Sequence, residues 1–159
     1  GEKKFYSIYE NIIKELLCSK KKVYILRHSH EDVSICNRIK SSYDNKKVEL
    51  IFKDLNAIEL EGIIKQFDFI IASRYHSIIH SYKNGVPAII IGWANKYYEL
   101  SNDFNQLSYY FDCRDEILID DILKSLKEMI KQNKKEKETI KCSLKKFKKG
   151  KTAFSFLPN

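Results

Sequence analysis

The segment Ser73-Arg74-Tyr75-His76-Ser77 sets a guanidinium and an imidazole two residues apart, with a hydroxyl on either side. Phe67 to Ile71 ahead of it reads as a strand, and Ile78, Ile79 and Tyr82 after it read as one face of a helix. At such a junction the N–H groups of the first helical turn face the same space as the guanidinium. A fixed cation, a helix dipole and an imidazole together suit a small ligand bearing phosphate or carboxylate. Taken singly, Arg74 reads as a surface arginine and His76 as a capping or packing histidine. His80, one turn later and inside the helix, reads as structural.

Two other loops strengthen the case. Arg27, His28, Ser29 and His30 come after a first strand, Val23 to Leu26, and Gly92, Trp93, Ala94, Asn95 and Lys96 come after a fourth, Ala88 to Ile91. All four histidines lie in or near these loops, and three of the four arginines (Arg27, Arg38, Arg74) lie in them or in the adjoining helices. In an open parallel sheet, ligands bind beyond the carboxyl ends of the strands. Proton-transfer and anion-binding groups thus gather on the edge where a ligand is expected.

The elements that must hold these loops alternate along the chain. Phe5, Ile8, Tyr9, Ile12, Ile13, Leu16 and Leu17 form a helical stripe ahead of the first strand. Asp32 is placed to cap a second helix with Val33, Cys36, Ile39 and Tyr43 inward. An Asp44-Asn45 turn leads to a second strand, Val48 to Phe52, and Asn56 can cap a third helix through Ile58, Leu60, Ile63 and Ile64. Asn84-Gly85 closes the helix after His76, a helix covers Lys96 to Asn105, Leu107 to Phe111 is a weaker fifth strand, and Ile119 to Ile130 is a last helix. Strands alternating with helices predict βαβ units. The fold class expected is α/β: a Rossmann-like, doubly wound parallel sheet of about five strands in three αβα layers, ordered 2-1-3-4-5. Residues 1–133 are expected to form a single domain and 134–159 a basic C-terminal helix or tail.

Composition sets the bounds. With 43% hydrophobic and 13% aromatic residues the chain is globular, and its 159 residues suit one α/β domain. No apolar run approaches a membrane span and the start lacks an apolar leader; Gly1 is consistent with a chain that begins inside a longer protein. Cys18, Cys36, Cys113 and Cys142 lack metal-site or disulfide spacing, so reduced thiols and a cytoplasmic location are expected. The net charge of +8 is local: twelve lysines against three glutamates between 124 and 151 leave −1 for the rest. A nucleic-acid partner is not expected of the nearly neutral remainder. Contact with the inner face of an anionic membrane is open to the tail alone.

The run from Phe67 to Ser77, then Asn84-Gly85-Val86-Pro87, then Ile91-Gly92-Trp93-Ala94-Asn95-Lys96-Tyr97, resembles the C-terminal half of the polysaccharide pyruvyl transferases. The resemblance covers roughly residues 20–112 and is specific as a combination. It implies one half of a two-domain enzyme like the GT-B glycosyltransferases, moving pyruvate from phosphoenolpyruvate onto two sugar hydroxyls as a ketal. By resemblance, Arg74 holds the donor's anionic groups and His76 is the general acid. Lys96 is placed to neutralise phosphate. Ser73, Ser77, Asn95, Arg27 and His28 complete the expected substrate contacts. The chemistry requires neither metal nor cofactor. The acceptor contacts are expected from an N-terminal domain of the same protein, which these residues do not supply, so the chain alone is expected to be inactive.

Two other readings stand beside this one. A GT-B glycosyltransferase or sugar-nucleotide-binding domain shares the architecture, but such domains usually carry a glycine-rich diphosphate loop, and here the five glycines are scattered. A non-catalytic binding module would act through Lys145-Lys146-Phe147-Lys148-Lys149-Gly150-Lys151.

Overall fold

The computed structural model describes residues 2–149 except 28, 44, 45, 52, 53, 115 and 117, with the backbone alone at 2–4, 148 and 149. The order is α1 (Glu2–Cys18), β1 (Val23–Leu26), α2 (Val33–Ser41), β2 (Val48–Ile51), α3 (Ala57–Ile64), β3 (Ile70–Ala72), α4 (Tyr75–Lys83), β4 (Ala88–Gly92), α5 (Asn95–Asp103), β5 (Tyr110–Asp112) and α6 (Ile119–Lys149). The chain divides into two compact units. Residues up to 56 with 118–123 make the first, and residues 57–117 with the rest of α6 make the second.

In the first unit β1 and β2 pair in parallel, Val23 opposite Val48 and Leu26 opposite Ile51. The stripe of α1 is buried at Ile8, Ile12, Ile13 and Leu16, and α2 buries Cys36 and Ile39. Tyr6 and Tyr43 tie the two helices, the first through a 2.6 Å hydrogen bond with Ser42 Oγ, the second by donating to the Glu10 carbonyl. Asp32 stands at the N-cap of α2 but makes no cap there. Its carboxylate turns back to accept from the Ser29 N–H at 3.1 Å, closing a 3₁₀ turn over His30–Asp32. The Asp44-Asn45 turn lies outside the described residues.

In the second unit β3, β4 and β5 form a parallel sheet in that order, Ile70 opposite Ala88 and Ile90 opposite Tyr110. The neighbours expected from sequence, 2 beside 1 and 3-4-5, are those observed, but as two ladders rather than one of five strands. β4 is buried at all five residues, as the central strand of a covered parallel sheet must be. β3 starts three residues later than its apolar pattern suggests. The Phe67 N–H is bonded to the Ile64 carbonyl in the turn ending α3, and Lys137 Nζ takes the Phe67 carbonyl at 3.1 Å, so that backbone is unavailable to the sheet. Part of the expected fifth strand is likewise a 3₁₀ turn, Leu107–Tyr109.

The end of α4 is set by one glycine. Gly85 has φ +70° and donates to the Tyr82 carbonyl, while the Val86 N–H reaches Ser81 O at 2.9 Å. This is the glycine-terminated hydrogen-bond pair that ends many helices.

α6 continues well beyond Ile130. Leu126, Met129 and Ile140 are buried along it, and Leu144 and Phe147 pack partly against the core of Ile78, Tyr82, Tyr97, Leu100 and Phe104. Phe104 is stacked between Tyr82 and Phe147, at 4.6 and 5.2 Å between ring centres. The lysines up to Lys146 line mostly exposed positions of a packed helix. At the middle of α6 the Glu136 carboxylate is buried and accepts from Gln106 Nε2 at 2.7 Å. Gln106 shares that carboxylate with the Tyr109 hydroxyl, so Gln106→Ala removes one of its partners, and urea denaturation should show a loss of about 0.5–1.5 kcal/mol.

Candidate functional site

Because β3, β4 and β5 run parallel, the segments after them leave the same edge of the sheet. Arg74 occupies the N-cap of α4 with extended backbone, φ −94° and ψ 120°, and Ala94 does the same for α5. Extended residues at both helix starts turn the chain sharply from strand to helix, which aims both helix N-termini past the strand ends. The Arg74 carbonyl accepts from Ser77 N at 3.1 Å and Ile78 N at 3.4 Å, so the Ser77 amide is engaged within the turn.

Tyr97 holds the two loops together. Its side chain is almost wholly buried, and its hydroxyl donates to the Ser73 carbonyl at 3.0 Å. Its ring lies over Gly92, where a built Cβ would come 2.6 Å from Tyr97 Cγ. Only glycine admits the ring this closely. Burial raises the Tyr97 phenol above its ordinary range, and the charge of Arg74 opposes that rise. Tyr75 packs edge-on to Tyr97 at 5.4 Å and to the His76 ring at 6.2 Å. Lys96 Nζ lies 4.6 Å from the centre of the Tyr75 ring and 5.8 Å from that of Tyr97. An ammonium over two aromatic faces is held in place without losing its charge. His76 is exposed at the first turn of α4.

The third segment, after β5, carries no motif in the sequence. Arg114 donates from Nε to Asp112 Oδ1 at 3.0 Å and from Nη2 to Oδ2 at 2.6 Å, and the same Nη2 reaches Asn95 Oδ1 at 3.2 Å. Tyr110 also donates to Asp112, at 3.0 Å, and the Cys113 N–H donates to the Gly92 carbonyl at 2.7 Å. The fourth arginine of the chain therefore joins the same edge. Asn95, expected to meet substrate, has its amide oxygen engaged by Arg114. The signal that could have found Arg114 is position: it stands just past the end of β5, as Arg74 stands just past the end of β3. Arg114 holds the Asp112 carboxyl well below the usual carboxylate range, and burial, aided by the bond to Asp112, pushes the Tyr110 phenol up to about 12.

Of the residues predicted for the site, Ser73, Arg74, His76, Ser77, Asn95 and Lys96 belong to this one edge. Arg27 belongs to the first unit, where it is buried, forms an ion pair with Asp54 and lies 3.3 Å from His30 Nδ1 through its Nη1. His28 lies outside the described residues. His80 has the structural place expected of it: Nδ1 is 2.9 Å from Glu61 Oε1, which Lys83 also meets at 3.0 Å. Lys83 first, then His80, lowers the Glu61 carboxyl below its ordinary range. Among the described residues no cluster of His, Cys, Asp and Glu is arranged to hold a metal ion.

A family model described as polysaccharide pyruvyl transferase matches residues 2–95, more than half of the chain. This chain belongs to the polysaccharide pyruvyl transferase family. The family is one of transferases acting on polysaccharide, and its match takes in β1 to β4, Arg74 and His76. Lys96, Asp112 and Arg114 lie beyond it. No curated protein and no solved structure matches the chain significantly. Among the described residues no helix is long and apolar enough to cross a membrane.

This geometry can be tested in two ways. Gly92→Ala forces the Tyr97 ring away from β4 and should lower stability by about 1–3 kcal/mol, seen as a lower urea midpoint; Tyr97→Phe, which removes the hydroxyl and with it the bond to Ser73, should cost about 0.5–1.5 kcal/mol. Asp112 is lowered in the fold, so its stabilisation is complete above the ordinary carboxylate pKa of about 4 and is lost as pH falls toward the depressed value. Asp112→Asn should therefore flatten the acid limb of a stability-against-pH profile, and an unchanged limb would show that the Arg114 pair is not coupled to folding.

Proposed function

We propose that the β3–β4–β5 edge is the phosphoenolpyruvate site of a pyruvyl transferase that makes cyclic ketals on sugars. The observation that carries this reading is the Ser73-Arg74-Tyr75-His76 turn with Lys96 beside it, in a chain of this family. Phosphoenolpyruvate bears about three negative charges, and fixed cations position such a ligand in advance of reaction. Arg74 is assigned to the carboxylate or phosphate of the donor and Lys96 to the phosphate, with Ser73, Ser77 and Asn95 as further contacts. Arg27 and His28 are kept as substrate contacts on the sequence pattern alone.

His76 is the general acid. It gives its proton to the methylene carbon, C3, and the C2 so formed is cation-like. A sugar hydroxyl adds to C2 and returns its proton to the imidazole. The C2–O bond to phosphate then breaks, and the second hydroxyl closes the ketal as its proton leaves with hydrogen phosphate. The products are the ketal carboxylate and inorganic phosphate. An imidazole suits the task because its ordinary pKa lies near neutrality.

In the whole enzyme this chain is proposed as the C-terminal, Rossmann-like half of a GT-B-like pair, with the acceptor bound largely by the other half. The packing of Ile140 and Phe147 favours a structural role for the basic helix over that of a detached membrane or nucleic-acid tail. A cytoplasmic location fits a donor made by central metabolism.

The test is titration of this chain with phosphoenolpyruvate by calorimetry or NMR. Saturable binding is expected, abolished by Arg74→Ala and retained by His76→Asn. In the complete enzyme His76→Asn should lower kcat by about 10²–10⁴-fold with little change in KM for the donor. Binding of a nucleotide sugar in place of phosphoenolpyruvate would instead promote the glycosyltransferase reading.

A further inference from the structure

Trp93 is the single tryptophan of the chain and stands 46% exposed directly after the most deeply buried strand. An indole can bury more apolar surface than any other side chain, so one left in water beside a dry strand is a candidate contact surface. It is not loose: its ring centre lies 5.2 Å from that of Tyr97, at 50°. Tyr97 in turn is fixed by Gly92 and Ser73. The ring contacts continue from Tyr97 to Tyr75 at 5.4 Å and from Tyr75 to His76 at 6.2 Å. A run of aromatic rings thus leads from the exposed indole to the proposed acid, with the Lys96 ammonium over its middle members.

We propose that Trp93 is the platform on which the pyranose ring of the acceptor stacks, a reading that rests on the pyruvyl-transfer function above. A pyranose has hydroxyls around its rim and C–H groups on its faces. Those C–H groups carry slight positive charge, and an aromatic face is negative, so the two surfaces match where hydroxyls would not. The same negative face repels the phosphate and carboxylate of the donor, so Trp93 takes no part in donor binding. The division of labour is spatial: His76 at one end of the ring series, with Lys96 over its middle, receives phosphoenolpyruvate, and the indole at the other end receives sugar. Trp93 would then set which acceptors are used, through the pattern of axial hydroxyls that a flat surface accepts.

A single tryptophan gives one indole N–H signal in a ¹H–¹⁵N spectrum, so the contact can be read directly. The chain is titrated with methyl β-D-glucopyranoside, with methyl β-D-galactopyranoside and, separately, with phosphoenolpyruvate. Expected is a saturable shift of the indole signal with at least one glycoside. Trp93→Ala should weaken glycoside binding, followed by backbone amides near residue 95, by about tenfold, and Trp93→Phe should retain most of it. Phosphoenolpyruvate affinity should be the same in all three proteins. An indole signal unmoved by both glycosides, or glycoside affinity unchanged in Trp93→Ala, overturns the proposal. A glycoside response without phosphoenolpyruvate binding upholds the platform and removes the pyruvyl reading instead, so the two failures are distinct.

Discussion

The hydroxyl of Tyr97 donates to the Ser73 carbonyl while its ring fills the space that a side chain at Gly92 would occupy. These two contacts join the loop after β4 to the loop after β3, and the rest of the candidate site takes its geometry from them. Tyr75 packs edge-on to the Tyr97 ring, Trp93 leans on it, and Lys96 lies over both tyrosines. One hydrogen bond contributes only about 1 kcal/mol to stability, so its importance lies in position. Two helix N-termini that share an edge become one surface only if something fixes their separation, and a buried phenol does that without adding a charge.

Charge on this edge is distributed unevenly. Asp112 compensates Arg114, and Asn95 completes the brace, so that group supplies rigidity along the rim. Lys96 is settled on the aromatic faces of Tyr75 and Tyr97, which hold an ammonium without neutralising it. A site for a multiply charged donor needs fixed cations, and on this edge the carboxylate-braced Arg114 and the ring-held Lys96 stand on different loops.

Much of this was legible in the sequence, and the misses have physical causes. The glycine stop after α4, the buried β4 and the strand-to-helix turn at Arg74 come from local rules that no distant contact overrides. The start of β3 was misplaced because Phe67 and Phe69 extend the apolar run, whereas the Phe67 backbone is committed to the end of α3. α6 was cut short because two of its inward positions are Glu136 and Ser143, both buried. A polar residue at a core position interrupts the apolar period, and the partner that makes it tolerable, Gln106, lies 30 residues away. Arg114 escaped notice because the strand before it is three residues long and opens on a 3₁₀ turn. The pairing of Lys96 with Tyr75 depends on rotamers, which spacing does not encode.

The ladders have a common property in the distance along the chain that each must close. Val23 pairs with Val48, 25 residues on; Ile70 with Ala88, 18 on; Ile90 with Tyr110, 20 on. Loop-closure entropy grows only slowly with length, but contacts between distant segments are what make parallel sheets slow to form. Here each crossover is a single short helix, so strand pairing asks for little search. The backbone turn bearing Arg74 and the one bearing Lys96 are brought level by the β3–β4 ladder, which needs only the residues between them. The geometry on which chemistry would depend is therefore written into the most local, and kinetically least demanding, part of the topology.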